Sequence, residues 1–395
     1  MDPDERNRMC LSGPSTFGLS RRSALAGALG IIGGTTLAAC SSADEQSFPG
    51  SSTAAPVPGD VDKGRPHVIL LGTAGGPAWY PRQNATGIAT AVVIGDAVYV
   101  VDTGDRAPEQ FFKANPTGEA PDEQFSTLRG IFITHLHSDH TIDYFKMINY
   151  GWWTGLQHIT QPVKVIGPGR RASLTTAYPG SQPPPPANPA NPMPGITDMT
   201  NSLLAAYATD INDRVRDNRF TDLRSLIDVD DITIPGFDPA IETLEIMPAM
   251  DPFPVYEDDR VRVTATLVNH FPVFPAFAYR FDTDDGSVVI SGDTGKSANL
   301  ARMAADTDLL LHEVIDTSWI DEQYADNEAL RHHLMTAHMP STELGRFADE
   351  LGARQLALHH LVPAEPPVER WLKSRENFSG TFHIGTDLAA INLRG

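Results

Sequence analysis

The stretch Thr134-His135-Leu136-His137-Ser138-Asp139-His140 puts three of the chain's 13 histidines and a carboxylate inside seven positions. Neutral imidazoles and carboxylates are the donors that zinc-type divalent cations take, so the stretch reads as part of a metal site whose remaining ligands must come from elsewhere. Candidates follow in order: His270 after "TATLVN", Asp293 after "VVISG" and His360 after "RQLALH". The set then holds five histidines and two aspartates. That number suits two divalent cations sharing one carboxylate, each with about four protein or solvent ligands. Any one of the later residues alone reads more readily as core packing. The ordered set does not.

The elements that must position these residues are legible as short apolar runs. "HVILLGT", "TAVVIG", "AVYVVDTG", "GIFITH" and "PVKVIGPG" form a first group from Val68 onward. A second group holds "VRVTATLVNH", "FAYRFDT", "SVVISGDTG", "DLLLHEV" and "RQLALHHL". Each run is too short for a helix and closes on glycine or a polar turn, as buried strands do. In both groups strands end in His or Asp, and α/β folds assemble their sites at strand ends because the strands fix the backbone there. Between the groups lies a region from about 170 to 254 that opens with "PGSQPPPPANPANPMPG". Proline at that density excludes helix and sheet interior, so an extended loop is expected, followed by a helical insert from about Ser202 to Leu226.

Taken together, "THLHSDH" and the later His, Asp and His resemble the metallo-β-lactamase fold superfamily, whose motif is HxHxDH followed by those three residues. The resemblance covers about residues 66–394 and implies a four-layer αββα sandwich. It further implies that His135, His137 and His270 hold one metal, that Asp139, His140 and His360 hold the other, and that Asp293 bridges them. His359 competes with His360; the pattern of the branch named next favours His360. "VILLGTAGGP", "SGDTG" with "LLLHEV", and "AHMPSTELGRFADELGARQLALHHL" are similar to the ribonuclease Z and zinc arylsulfatase branch. That likeness adds Glu313 and His338 as a proton-transfer pair, and with Asp139 they are the expected catalytic residues. Zinc is the default metal, with manganese or iron as alternatives.

The chemistry implied is hydrolysis of a phosphodiester or sulfate ester. Two cations would supply a hydroxide for attack, and His338, kept cationic by Glu313, would protonate the leaving oxygen. Two other readings stay open: a lactone or carboxylic ester hydrolase using the same metals, and a metal-binding surface lipoprotein without catalysis. Gly72, Gly75 and Gly76 would let the chain pass close to the site or merely turn a strand. Trp152, Trp153, Phe271, Phe274 and Phe277 would line a pocket or fill the core, and His332 and His333 would support the site or face solvent.

The ends of the chain set its location and partners. Ser20-Arg21-Arg22 resembles the twin-arginine export signature, Ala24 to Ala39 is too short for the ~20 apolar residues of a spanning helix, and Leu37-Ala38-Ala39-Cys40 resembles a lipobox. Residues 1–39 are thus expected to be a signal peptide, Cys40 a lipidated anchor on the outer face of a bacterial cytoplasmic membrane, and 40–65 a flexible tether. Residues 66–395 form the hydrolase domain, in which 170–254 acts as a lid or pocket wall. Thirty Lys and Arg stand against 50 Asp and Glu, a formal charge of -20. Phosphate neutralisation dominates nucleic-acid affinity, so the expected partner is a small-molecule ester and nucleic acid is disfavoured. A homodimer is the alternative to a monomer.

Overall fold

The apolar runs become strands buried on both faces. The protein is described by a computed structural model, which covers residues 61–395 apart from 81, 84, 176, 241–246 and 366. The expected signal peptide, Cys40 and the tether to residue 60 lie outside the described residues. The last tether residues are tied to the domain: Asp62 N–H donates to Asn392 (2.9 Å) and Arg65 pairs with Asp285 (2.8 Å). Among the described residues no helix is long and apolar enough to cross a membrane.

The first sheet contains β1 (His67–Gly72), β2 (Ala89–Ile94), β3 (Ala97–Val101), β4 (Leu128–Phe132), β5 (Val163–Gly167) and β6 (Ile227–Asp231). The second contains β7 (Phe253–Glu257), β8 (Arg262–Leu267), β9 (Phe277–Thr283), β10 (Gly286–Ile290), β11 (Leu309–Ile315), β12 (Gln355–Val362) and β13 (Thr381–Ile384). A last strand, β14 (Ala390–Asn392), returns to the first sheet beside β1. Strand orders are β14-β1-β2-β3-β4-β5-β6 and β13-β12-β11-β10-β9-β8-β7. Each sheet changes from antiparallel to parallel part way, at β3 in the first and β10 in the second.

Side chains of a strand alternate between faces, and that alternation separates the cores. Val68 and Leu70 of β1 point between the sheets with Tyr99, Phe132, Phe277 and Phe281, while Ile69 and Leu71 point to the outer side of the first sheet. There they meet α1 (Ala107–Ala114) and α3 (Tyr144–Gly151), which follows the single-turn α2 (Ser138–Thr141), with α4 (Ile196–Ala206) and α5 (Ala208–Arg216) beyond. The outer side of the second sheet is covered by α6 (Ala298–Ala304) and α9 (Ser341–Glu350). Burial of each large apolar side chain contributes roughly 1.5–3 kcal/mol, and the result is the expected four layers. The short helices α7 (Thr317–Gln323) and α8 (Glu328–Ala337) lie between β11 and α9 in sequence.

The region 170–254 differs from the expected insert. Its α-helices span Ile196–Ala206 and Ala208–Arg216, with a short 3-10 turn at Leu223–Ser225, where one segment over 202–226 was expected. Asp198 accepts from the Gly195 backbone N–H (3.2 Å) and so fixes an earlier start. The region also returns to the sheet, for β6 pairs in parallel with β5.

Candidate active site

All the strands that carry expected site residues at their ends run so that these ends meet at one edge of the sandwich. His135 follows β4, His270 follows β8, Asp293 follows β10, Glu313 lies within β11 and His360 near the end of β12. The structure brings the seven expected ligands into two groups. His135, His137, His270 and Asp293 have donor atoms within 4.8 Å of one another, and so do Asp139, His140, Asp293 and His360. Asp293 belongs to both. Its Oδ2 lies 3.9 Å from His135 Nε2 and 3.9 Å from His270 Nε2, while its Oδ1 lies 3.3 Å from His140 Nε2 and 3.2 Å from His360 Nε2. One oxygen faces each group.

These separations fit cations. Ligands at ~2.0–2.2 Å around a tetrahedral ion stand about 3.3–3.6 Å from each other. Nε2 of His135, Nε2 of His140 and Oδ1 of Asp293 are buried without a hydrogen-bond partner, a costly state unless something else binds them. Burial, only partly offset by the nearby carboxylates, pushes His135, His137 and His270 down, so their lone pairs are free at neutral pH. Asp139 and Asp293 resist burial's upward push because imidazoles surround them, His140 and His360 foremost, and both stay ionised. Burial lowers His140 too, but Asp293, Asp102 and Asp139 outweigh it and raise it well above its ordinary value. Buried carboxylates beside His135, His137 and His270 with free lone pairs make a cation-binding environment.

Asp102 was not singled out from the sequence. It follows β3 in left-handed backbone (φ 59°), and its Oδ2 accepts from His140 Nδ1 at 2.9 Å and from Thr134 Oγ1 at 2.9 Å, while Oδ1 accepts the Thr134 N–H at 2.8 Å. His140 is thereby turned with Nε2 toward the site. The signal was present, since Asp102-Thr103-Gly104 repeats the Asp293-Thr294-Gly295 strand exit. Replacing Asp102 with Asn is expected to weaken metal binding about 10–100-fold, as loss of an outer carboxylate does. Competition with a chromogenic chelator measures this, and unchanged affinity would remove Asp102 from the site.

Of the three glycines, Gly75 and Gly76 approach the site, whereas Gly72 packs against Gly87 and Thr86 and serves the strand. A Cβ on Gly75 would lie 2.4 Å from His360 Nδ1, and the Gly76 N–H donates to Asp139 Oδ2 at 2.9 Å. Gly75→Val should therefore displace His360 and release the cation of the second group before the first, which a metal count of one per chain would register. His360 sits at φ 47° where the β11–β12 register shifts, and this turns its ring into the site. His359 belongs to neither group and is buried with both ring nitrogens unpartnered.

Glu313 and His338 meet. Glu313 Oε1 accepts from His338 Nδ1 at 3.1 Å, from the Thr294 N–H at 3.0 Å and from the Met339 N–H at 3.1 Å. His338 terminates α8, and the preceding carbonyl, Ala337 O, lies 3.1 Å from His270 Nδ1. Burial alone would lower His338, but Glu313, with Asp293 and Asp139 behind it, raises it to about 9. His333 overhangs the first group, its ring centroid 5.4 Å from His270 and 5.9 Å from His338, whereas His332 faces Tyr178 of the proline-rich loop at 6.3 Å.

Of the aromatics, Trp152 and Phe277 are core. Trp153 is half exposed against Phe220, and Phe271 stacks on Phe274. Phe274 lines a cleft of about 540 Å³ that reaches His137. A smaller cleft of about 200 Å³, lined by Gly76, Trp79, Ser138 and Ile142, borders Asp139.

The sandwich and its edge site are those of one superfamily. Residues 86–339 match the metallo-beta-lactamase superfamily, and the chain belongs to it. Among curated proteins it is similar to the ribonuclease Z of Mycobacterium bovis, 27% identical over 332 residues (82% of this chain, 98% of that protein). The ribonuclease Z of Mycolicibacterium paratuberculosis is 28% identical over 333 residues, again 82% of this chain and 98% of the relative. Among solved structures, the short form of human tRNase Z matches with TM-score 0.53 at 17% identity, covering 83% of this chain and 99% of that one. The metallo-beta-lactamase fold protein YhfI of Bacillus subtilis matches with TM-score 0.50 at 18% identity, covering 83% and 99%.

Proposed function

We propose that the chain is a metal-dependent hydrolase that cleaves a phosphodiester. His135, His137 and His270 would hold one divalent cation, Asp139, His140 and His360 the other, and Asp293 both. Zinc is the default for this donor set. The observation that carries the reading is the Glu313–His338 pair beside the two groups, because storage of a metal needs no proton donor. Two cations held there would acidify a water for attack and offset charge on the oxygens of phosphorus. His338, its Nδ1–H held by Glu313, keeps Nε2 for the proton that the leaving oxygen takes. Asp139, kept ionised by the imidazoles of the second group to which it belongs, would accept a proton from the attacking water.

The relatives carry the name ribonuclease Z over most of this chain, which returns RNA to the candidate substrates against the expectation from charge. Acidity still favours a small phosphodiester over a long polyanion. The likeness to arylsulfatases rests on motifs alone, and sulfate esters stand second. Export and lipid anchoring at Cys40 belong to the same proposal and would set the enzyme outside the cytoplasm.

The test is turnover of bis(p-nitrophenyl) phosphate, p-nitrophenyl sulfate, an aryl lactone and a structured RNA by zinc-loaded protein. Phosphodiester cleavage that a chelator abolishes and zinc restores is expected. Lactone turnover with no phosphodiester cleavage would reject the reading, and RNA cleavage would widen it to nucleic acid.

The pair also sets a pH dependence. A His338 that loses its proton near pH 9 donates below that pH and fails above it. Glu313→Gln removes the largest attraction and leaves burial, which acts downward, against the weaker pull of Asp293 and Asp139, so the alkaline limb of kcat should move to lower pH. Bound cations would lower both limbs alike and leave the difference. Limbs that coincide in the two proteins would separate Glu313 from proton transfer.

A further inference from the structure

The larger cleft is built from the site outward. Its floor includes His137, and one wall is the loop that follows His270, with Phe274 at 5% exposure stacked on Phe271 at 5.8 Å. The opposite wall is α4, where Met199 and Leu203 stand four residues apart and hence on one face, with Ser202 at the rim. At about 540 Å³ the cleft is of the size that takes a small organic group.

One charged side chain lines it. Arg171 donates Nη1–H to Pro272 O at 2.9 Å and to Thr175 Oγ1 at 3.4 Å, and among the described residues no carboxylate pairs with it. Its neighbour shows the ordinary fate of arginine in this acidic chain, for Arg170 forms a two-pronged pair with Asp198 at 2.5 Å through both nitrogens. Arg171 is instead partly desolvated without a counter-charge, and burial lowers its pKa. A guanidinium in that state is compensated best by a carboxylate or phosphate accepting in its plane.

We infer that this cleft binds one arm of the substrate, and that the arm has an apolar body against Met199, Leu203 and Phe274 and a second acidic group on Arg171. The inference rests on the phosphodiesterase reading for the placement of the scissile group at the His and Asp groups. It narrows the substrate to an amphipathic phosphodiester with two anionic centres, which a plain dialkyl phosphate is not.

The experiment is calorimetric titration of the zinc-loaded full chain with methylphosphonate, benzylphosphonate and 4-carboxybenzylphosphonate. Affinity should rise about tenfold at each step, first by apolar burial and then by the ion pair. Ser202→Trp, at an exposed helix position, fills the cleft and should remove both gains while leaving methylphosphonate unchanged. Arg171→Gln, which keeps a donor for Pro272 O, should remove the second gain alone. Equal affinities for the three probes, or gains that survive both substitutions, would overturn the inference. So would an Arg171→Gln protein that loses methylphosphonate as strongly, since Arg171 would then contact the phosphorus centre itself. Probes that bind in the stated order to a protein that cleaves no phosphodiester would leave the cleft assignment standing and reject the hydrolase reading.

Discussion

Asp293→Ala is expected to release both metal ions and to abolish turnover. Its two oxygens face different groups, Oδ2 toward His135 and His270 and Oδ1 toward His140 and His360, so one substitution removes a donor from both. Loss of an outer partner alone costs about 10–100-fold in affinity or activity, and loss of a shared ligand should exceed about a thousandfold. Three readouts follow together. Elemental analysis should fall from two metals per chain toward none, the rate should fall to background, and the rise in melting temperature that zinc gives the native chain should vanish, because that rise is binding free energy. A folded Asp293→Ala protein that retains two metals would show that the carboxylate does not bridge.

His338→Ala should separate chemistry from metal binding. The imidazole touches Glu313 and lies within reach of the two groups that share Asp293, but it is not one of their seven residues. Its loss should lower kcat by about 10²–10⁴-fold, the usual contribution of a positioned acid, with both metals retained. The deficit should depend on the leaving group. p-Nitrophenolate departs without much help, so bis(p-nitrophenyl) phosphate should suffer least, and a diester that releases an aliphatic alcohol should suffer most. An equal deficit for both would assign His338 to substrate positioning instead of proton donation.

How much of this was legible in the sequence follows from what each residue must do. The candidate ligands were legible because chelation demands particular residue types, and four of the seven share one short loop at "THLHSDH". Ten strands were legible because a strand buried on both faces must be a short apolar run. β6, with the sequence IDVDD, was not. It is an edge strand whose acids face solvent and pair with Lys164, Asp228 at 2.7 Å and Asp230 at 2.5 Å, so it lacks an apolar pattern. β14 is three residues long and gains its structure only by adding to β1.

Adjacent histidines posed a different problem. His359 and His360 have the same chemistry, and which ring enters the site depends on a left-handed backbone at His360 and a register shift, neither of which residue type reveals. The family pattern pointed to His360, and the geometry places that ring in the second group. Asp102 was passed over for the converse reason. It supports a ligand without being one, and a count of ligands was already complete without it. In the proline-rich region composition told where regular structure stops, but the start of α4 depended on the Asp198 contact to Gly195.

The most direct measurement of the central claim is a zinc titration of metal-free protein, with binding and phosphodiesterase rate followed on the same samples. Two tight equivalents per chain, with full rate reached only at the second, are the expected result. Saturation at one equivalent with full rate, or two equivalents bound with no cleavage of any phosphodiester, would contradict it.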